Sequence, residues 1–194
     1  DKQASDQEFR GVRDAGTRGS VTGGQHLNAL EKLVRTVLID AGVDPSAIHR
    51  GRAARMPGYF RELKNWDLVV VEQGAIVAVI ELKSQVGSFG NNLNNRLEEA
   101  IGQVVDFWHA VDRDLLPGLR PWFGYLMIVE DSVNSSKPVR TQSHLVPPDP
   151  AFRDKSYVDR YSIAFERLHA ERLLDSVAFA ISKRGTDKVS YPSP

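Results

Sequence analysis

The chain has 194 residues, of which 41% are hydrophobic and 26% are charged, and this composition predicts one globular domain over residues 1–194. It contains no cysteine, which excludes disulfides, thiolate metal sites and a cysteine nucleophile. The formal net charge is zero, whereas nucleic-acid-binding domains are more often basic, so any DNA-binding role requires local clustering of positive charge.

The first elements are an arm and a helix. Residues 1–24 are polar and rich in glycine, which predicts a loop or arm. Apolar residues recur at three- and four-residue spacing from Leu27 to Leu38, which predicts a helix that Gly42 and Pro45 end. The Gly23-Gly24 pair lacks the lysine and the spacing of a phosphate-binding loop, so we expect no nucleotide cofactor.

A β-hairpin follows. Trp66–Val71 is a short β-branched run, Glu72-Gln73-Gly74 is a turn signal, and Ala75–Lys83 is a second apolar run. Two such runs joined by a short glycine-containing turn predict an antiparallel hairpin. Because nearly every position is apolar, we expect both faces of the hairpin to be covered, as in the middle of an α/β sheet.

The second half of the chain continues with a Gly/Asn-rich segment over residues 86–95 and a helix whose apolar positions run from Leu97 to Val111. Trp122–Val129 predicts a third buried strand, residues 131–150 a long polar loop, and the stretch from about Tyr157 to Ser182 a final helix. The fold class is therefore α/β, with a central mixed sheet that contains the hairpin and is flanked by helices.

Three charged residues interrupt the apolar hairpin, namely Asp67, Glu81 and Lys83. Burying an unpaired charge costs several kcal/mol, so these groups must be paired, bound to metal or placed at the open end of the sheet. Glu81 and Lys83 are two residues apart and share a face. A three-residue connection would place Asp67 opposite Glu81, whereas a two-residue turn shifts the register by one, which a bulge restores.

This set suits phosphodiester hydrolysis. Two carboxylates without imidazole or thiolate favour Mg²⁺, with Mn²⁺ as a substitute, and the backbone carbonyl of Leu82 is a candidate third ligand. Lys83 is placed to hold the attacking water and to add positive charge near the phosphate. The alternative is a structural ion pair in which Lys83 bridges Asp67 and Glu81.

Two segments are candidates for DNA binding. Five basic residues precede the hairpin, where the phosphate backbone would lie, although a solvated charged surface is the commoner outcome for such a run. They are Arg50, Arg52, Arg55, Arg61 and Lys64. Five more polar residues follow Lys83 and are able to contact bases or phosphates, with turns and a helix cap as the alternative. They are Asn91, Asn92, Asn94, Asn95 and Arg96.

Three further polar residues are candidates for positions next to the metal ligands. Glu31 lies on the first helix, Gln85 shares the face of Lys83, and Gln103 lies on the helix after the Asn-rich segment. A Glu on a surface helix is more often simply exposed.

Several motifs carry a family resemblance that spans about residues 19–174. They are Gly19–Gly24, Pro57–Arg61, Trp66–Val70, Ile80–Gly87, Phe89–Asn92 and Asn94–Arg96, with Leu126–Asp131 and Tyr157–Tyr161 in support. In these motifs the chain resembles the XhoI-type restriction endonucleases, within the PD-(D/E)XK nuclease superfamily. One position departs from the superfamily pattern, because Trp66 stands where a proline is expected before the catalytic aspartate.

The resemblance implies a restriction-endonuclease-like domain in which Asp67, Glu81 and Lys83 take the catalytic positions. It also implies a prokaryotic cytoplasmic homodimer that uses Mg²⁺ to cleave double-stranded DNA at the palindrome CTCGAG. The longest apolar runs are far shorter than the roughly 20 residues that span a bilayer, so we expect no membrane association. Two alternatives are a PD-(D/E)XK repair or recombination nuclease, which cuts by structure, and a non-catalytic DNA-binding module on the same fold.

Overall fold

A computed structural model of the protein describes residues 15–183, with side chains from residue 27 onward. Four α-helices lie in this range: α1 (Ala15–Asp40), α2 (Phe89–Val111), the single turn α3 (Val133–Ser136) and α4 (Tyr157–Ala170). Short 3-10 helices occupy Pro45–Ala47, Gly51–Ala54 and Pro150–Phe152. No helix of the described chain is both long enough and apolar enough to cross a membrane.

The strands form two sheets. They are β1 (Ile48–Arg50), β2 (Arg55–Met56), β3 (Lys64–Asn65), β4 (Leu68–Glu72), β5 (Ala75–Gln85), β6 (Trp122–Glu130) and β7 (Ser176–Ser182). The main sheet has the order β1-β4-β5-β6-β7, and β2 and β3 form a small hairpin beside it. The pairs β1–β4 and β4–β5 are antiparallel, whereas β5–β6 and β6–β7 are parallel, so the predicted mixed sheet is confirmed.

The β4–β5 hairpin closes with a two-residue turn. Gln73 and Gly74 both have positive φ values, of 51° and 81°, as a type I′ turn requires. Glu72 pairs with Ala75, and a bulge between Val70 and Val71 then shifts the register by one residue. The predicted three-residue connection is therefore wrong. The bulge nevertheless restores the predicted register, in which Asp67 lies opposite Glu81.

Helices cover both faces of the sheet. Even-numbered residues of β5, such as Ile80 and Leu82, pack with α1 in one apolar cluster. Odd-numbered residues, such as Val79, point to the other face and pack with α2 and α4. This alternation places Glu81 and Lys83 on the α2 side of the sheet, because successive side chains of a strand point to opposite faces.

The N-terminal expectation needs correction. Helix α1 begins at Ala15, so the loop or arm over residues 1–24 is wrong from that residue onward, and residues 1–14 lie outside the described range. Glycine disfavours a helix by about 1 kcal/mol relative to alanine, but propensity is a weak guide. Once a helix such as that at Leu27–Leu38 has formed, each added residue gains a hydrogen bond without a new nucleation cost.

The C-terminal expectation is half right. Helix α4 begins at Tyr157 as predicted but ends at Ala170, and Ser176–Ser182 is strand β7 rather than helix. Leu173, Val177 and Ile181 fit both periods, since a spacing of four satisfies a helix and a strand alike. Pairing with β6 decides between them, and the chain reverses at Arg172, whose φ is +58°.

Two smaller differences concern the elements around the sheet's end. Helix α2 starts at Phe89, so most of the Gly/Asn-rich segment is helical rather than a preceding loop. The long loop over residues 131–150 contains the single helical turn α3, which Ser132 caps by accepting a hydrogen bond from the backbone N–H of Ser135.

Candidate active site

Asp67 and Glu81 come together at the start of β4. Leu68 pairs with Ile80, and this antiparallel register, continued by one residue, places Asp67 opposite Glu81. The Oδ2 atom of Asp67 accepts a hydrogen bond of 2.7 Å from the backbone N–H of Leu82. The aspartate is thereby held beside β5 even though its own backbone lies just outside the strand.

Glu81 is neutralised by two lysines. Its side chain is only 3% exposed, and its Oε2 lies 3.0 Å from Nζ of Lys64. Its Oε1 accepts a hydrogen bond from Nζ of Lys83, which also lies 3.4 Å from the carbonyl oxygen of Leu82. Each carboxylate oxygen of Glu81 therefore faces an ammonium group, which offsets the cost of burying the negative charge.

The carboxylates influence each other. Burial raises the pKa of the Asp67 carboxyl, the nearby charge of Glu81 raises it further, and the hydrogen bond from Leu82 partly opposes both effects. Burial likewise lowers the pKa of Lys64, and the attraction of Glu81 opposes that change. A divalent cation between the carboxylates would relieve their repulsion.

The donor set fits Mg²⁺ or Mn²⁺. Asp67 and Glu81 offer carboxylate oxygens and Leu82 offers a carbonyl, all of them hard oxygen donors. Within the described residues, no group of three or more His, Cys, Asp or Glu side chains is arranged to hold a metal ion. Mg²⁺ commonly takes only one or two carboxylates and completes its shell with waters and substrate oxygens.

A structural ion pair accounts for only part of this arrangement. Lys83 pairs with Glu81, and no ion pair joins Lys83 to Asp67 among the described side chains, so Lys83 does not bridge the two acids. Lys83 keeps 15% of its side chain exposed. Lys83 and Asp67 are thus both partly open to solvent, whereas Glu81 is buried.

The three residues expected near the metal ligands have different surroundings. Glu31 forms an ion pair of 2.9 Å with Arg50. Gln85 is buried, accepts a hydrogen bond from the hydroxyl of Tyr161 and donates one to the carbonyl of Gly87. Gln103 has a buried Oε1 with no hydrogen-bond partner. Their influence on a metal ion stays a prediction.

Two residues of the site were missed by the sequence reasoning. Tyr125 on β6 pairs with Glu81 in the parallel register, and its buried hydroxyl has no hydrogen-bond partner. Lys64 was assigned to phosphate contact, yet its amine reaches Glu81. No signal in the sequence pointed to this contact, because it joins residues 17 apart that only the folded sheet brings together.

The basic segment before the hairpin is split between surface and interior. Arg50, Arg52 and Arg55 are exposed, as phosphate contact would require. Arg61 instead forms an ion pair of 2.8 Å with the buried Asp106, and Lys64 is 9% exposed. Arg61 is also exposed, but its guanidinium is engaged by a buried carboxylate, whereas Arg50 pairs with the more accessible Glu31 and neither Arg52 nor Arg55 forms an ion pair among the described side chains. Arg50, Arg52 and Arg55 are therefore the better candidates for the DNA backbone.

The Asn-rich segment forms the first two turns of α2. Asn91, Asn94 and Asn95 are exposed, whereas Asn92 and Arg96 are half-buried and Arg96 pairs with Glu99 at 2.6 Å. The N-cap is Ser88, without a side-chain capping bond, so these asparagines do not serve as the cap. The expectation that one of them caps the helix has no support in this geometry.

Two clefts border this start of α2. One has a volume of about 540 Å³ and is lined by Asn94 together with Arg140 and Gln142 of the long loop and Arg160 of α4. The other, of about 640 Å³, is lined by Asn91, Lys137 and Arg140 among others. The asparagines and the loop thus line two clefts that share Arg140, and the second cleft reaches Gly87, just beyond the end of β5.

The comparisons with known proteins agree on one family. The sequence profile described as restriction endonuclease XhoI matches residues 6–192. The type II restriction enzyme BstVI of Geobacillus stearothermophilus is 36% identical over 190 residues, which cover 94% of this chain and 85% of that enzyme. The type II restriction enzyme XhoI of Xanthomonas vasicola is 38% identical over 157 residues, which cover 79% of this chain and 63% of that enzyme.

A third relative covers less. The type II restriction enzyme AbrI of Azospirillum brasilense is 46% identical over 108 residues, which cover 54% of this chain and 49% of that enzyme. No solved structure matches the chain at a significant level. The family profile spans nearly the whole chain, and a relative above one third identity covers most of both proteins, so the chain belongs to the XhoI family of type II restriction endonucleases.

Proposed function

We propose that this restriction endonuclease hydrolyses double-stranded DNA at CTCGAG and that Asp67, Glu81 and Lys83 form its Mg²⁺-dependent cutting centre. The observation that carries the proposal is the meeting of two carboxylates, from Asp67 just before β4 and from Glu81 on β5, with the amine of Lys83. The CTCGAG site comes from the family likeness, since no base is identified by the geometry of the chain alone.

The roles of the residues follow from their chemistry. Asp67 and Glu81 would each give the ion a carboxylate oxygen, and the carbonyl of Leu82, the next residue on β5, would give a third. When bound, Mg²⁺ stabilises charge that develops on the scissile phosphate and acidifies the attacking water. Lys83, half-buried beside Glu81, orients that water or a phosphate oxygen through its ammonium group.

The start of α2 supports a role in base recognition. Asparagine disfavours a helix relative to alanine, so four asparagines in two turns cost the helix roughly 2–3 kcal/mol without a capping bond to offset it. Asn91, Asn94 and Asn95 stay exposed, and asparagine pairs well with adenine in the major groove. Arg50, Arg52 and Arg55 would contact phosphates.

The oligomeric state is expected to follow from the symmetry of the DNA site. A palindromic site has a two-fold axis, and a homodimer presents two identical cutting centres related by the same axis. We therefore expect residues 1–194 to act as one endonuclease domain in each subunit of a homodimer, in the cytoplasm of a prokaryote.

A plasmid digest tests the function. The protein is incubated with Mg²⁺ and sequenced plasmids that contain or lack CTCGAG, and the ends of the products are mapped. Discrete fragments with every end at CTCGAG are expected. A smear, or cutting at branched junctions only, would indicate a repair or recombination nuclease, and binding without any cutting in Mg²⁺ or Mn²⁺ would indicate a non-catalytic module.

A further inference from the structure

Lys64 is a second lysine on the glutamate of the cutting centre. Its Nζ lies 3.0 Å from Oε2 of Glu81, on the oxygen that Lys83 does not contact. It stands outside the motif formed by Asp67, Glu81 and Lys83, and three residues before Asp67 in the chain. The proposed reaction assigns it no task.

The structure holds Lys64 in place. Its side chain is 9% exposed, and its Nζ lies 4.0 Å from the ring centroid of Trp66 and 3.2 Å from the carbonyl oxygen of Asn65. Trp66 is itself buried among core aromatics, at 5.4 Å from Phe107. The amine is therefore fixed on Glu81 by several contacts, unlike a surface lysine that reaches into solvent.

The charges of the centre balance without a metal. Counted as formal charges, Asp67 and Glu81 contribute two negative charges, and Lys64 and Lys83 contribute two positive charges. A divalent cation entering this centre meets a glutamate whose two oxygens are both engaged by ammonium groups. A phosphate from DNA adds negative charge and so offsets the repulsion between the cation and the lysines.

We propose that Lys64 is a built-in counter-ion that keeps Glu81 in its binding position and weakens metal binding until a DNA phosphate is present. This role rests on the proposed function, in which Glu81 is a metal ligand. Lys64 is then a positioning residue whose amine yields Oε2 to the incoming ion. Its effect is to couple the affinity for metal to the affinity for DNA.

The test measures Mn²⁺ binding by the DNA-free protein, with electron paramagnetic resonance to count free Mn²⁺. Lys64→Met removes the charge, Lys64→Gln removes it but keeps a hydrogen-bond donor for Glu81, and Lys64→Arg keeps the charge. We expect the two neutral variants to bind Mn²⁺ about tenfold or more tightly than wild type, because a like charge next to the ion has been removed. Lys64→Arg and the exposed control Lys32→Met should match wild type.

A second arm adds an uncleavable CTCGAG duplex, in which a methylene group replaces the bridging oxygen at the scissile bond and leaves the negative charge in place. DNA should tighten Mn²⁺ binding strongly in wild type and clearly less in Lys64→Met or Lys64→Gln. Unchanged or weaker Mn²⁺ binding in whichever neutral variant folds would overturn the proposal.

Glu81→Gln distinguishes failure of the proposed metal site from failure of the proposed role of Lys64. If it leaves Mn²⁺ binding intact, the proposed metal site itself is wrong, whereas loss in Glu81→Gln with no gain in the Lys64 variants defeats only the role of Lys64.

Discussion

The proposed cutting centre and the first two turns of helix α2 are neighbours in the chain, yet their polar groups are held in opposite ways. In the centre, Glu81 is 3% exposed and both of its oxygens are paired with lysines. On α2, Asn91, Asn94 and Asn95 face solvent, and none of them caps the helix. One region is fixed by contacts within the protein, and the other leaves its polar groups free for a partner.

This difference matches the proposed division between a region that cuts DNA and a region that recognises it. Buried and paired groups hold their geometry before the substrate arrives, which favours transition-state stabilisation. Exposed amides contribute little to the stability of the fold and keep their hydrogen-bonding capacity for DNA. Substitutions in the centre should therefore change the rate of cleavage, whereas substitutions on α2 should change DNA affinity and sequence preference.

The largest effect is expected for Glu81→Gln. Removing one carboxylate charge weakens metal binding and transition-state stabilisation, and we expect cleavage of a CTCGAG plasmid to fall by about 10³-fold. Single-turnover cleavage in Mg²⁺ measures the loss, and circular dichroism checks the fold. The exposed Glu98→Gln on α2 serves as control and should cut normally. If Glu81→Gln retains most of the wild-type rate, the contrast between the two regions fails.

A smaller loss is expected for Lys83→Ala. Its amine would orient the water and add positive charge at the phosphate, and we expect the rate to fall on the order of 10²-fold. Binding of the uncleaved CTCGAG duplex should change much less than the rate, because Glu81 and Asp67 remain. If DNA affinity falls while the cleavage rate of bound DNA stays unchanged, Lys83 contributes to DNA binding rather than to the reaction.

Asn94→Ala tests the other region. Asn94 is exposed and lines the cleft beside Arg140, so its loss should weaken specific binding roughly tenfold through a lost base or phosphate contact. The melting temperature should stay the same or rise slightly, since alanine favours the helix. Fluorescence anisotropy in Ca²⁺ with CTCGAG and scrambled duplexes measures the change. The exposed helical Asn28→Ala is the matched control, and an equal effect there would remove Asn94 from the interface.

The smallest effect concerns stability and pH. Burial and the charge of Glu81 raise the pKa of Asp67 in the folded protein, so its contribution to stability is present at low pH and is lost as the pH rises through that raised pKa. Asp67→Asn does not ionise and keeps an oxygen for the N–H of Leu82. In EDTA, the melting temperature of Asp67→Asn minus that of wild type should therefore increase from about pH 4 to about pH 8. Each kcal/mol of unfolding free energy that the wild type loses relative to the variant corresponds to about 2–4 °C. A difference that is constant with pH would contradict this reasoning.

The hairpin was predictable because apolar patterning and charge both act locally. An apolar run interrupted by Asp67 and by Glu81 indicates the strands and the site together, since a sheet interior does not accept unpaired charge. The partnership of Lys64 with Glu81 was not predictable. It depends on where the β2–β3 hairpin lies against β5, which no short-range pattern encodes.

The sequence by itself determined the α/β class, the hairpin and its acidic pair, because residue periodicity and the cost of buried charge operate over a few neighbouring residues. Tertiary structure alone decided that Ser176–Ser182 is a strand, since its apolar spacing suits a helix equally well until β6 offers its backbone hydrogen bonds. It also decided which amine lies on each oxygen of Glu81, because that pairing joins segments that only the folded sheet brings into contact.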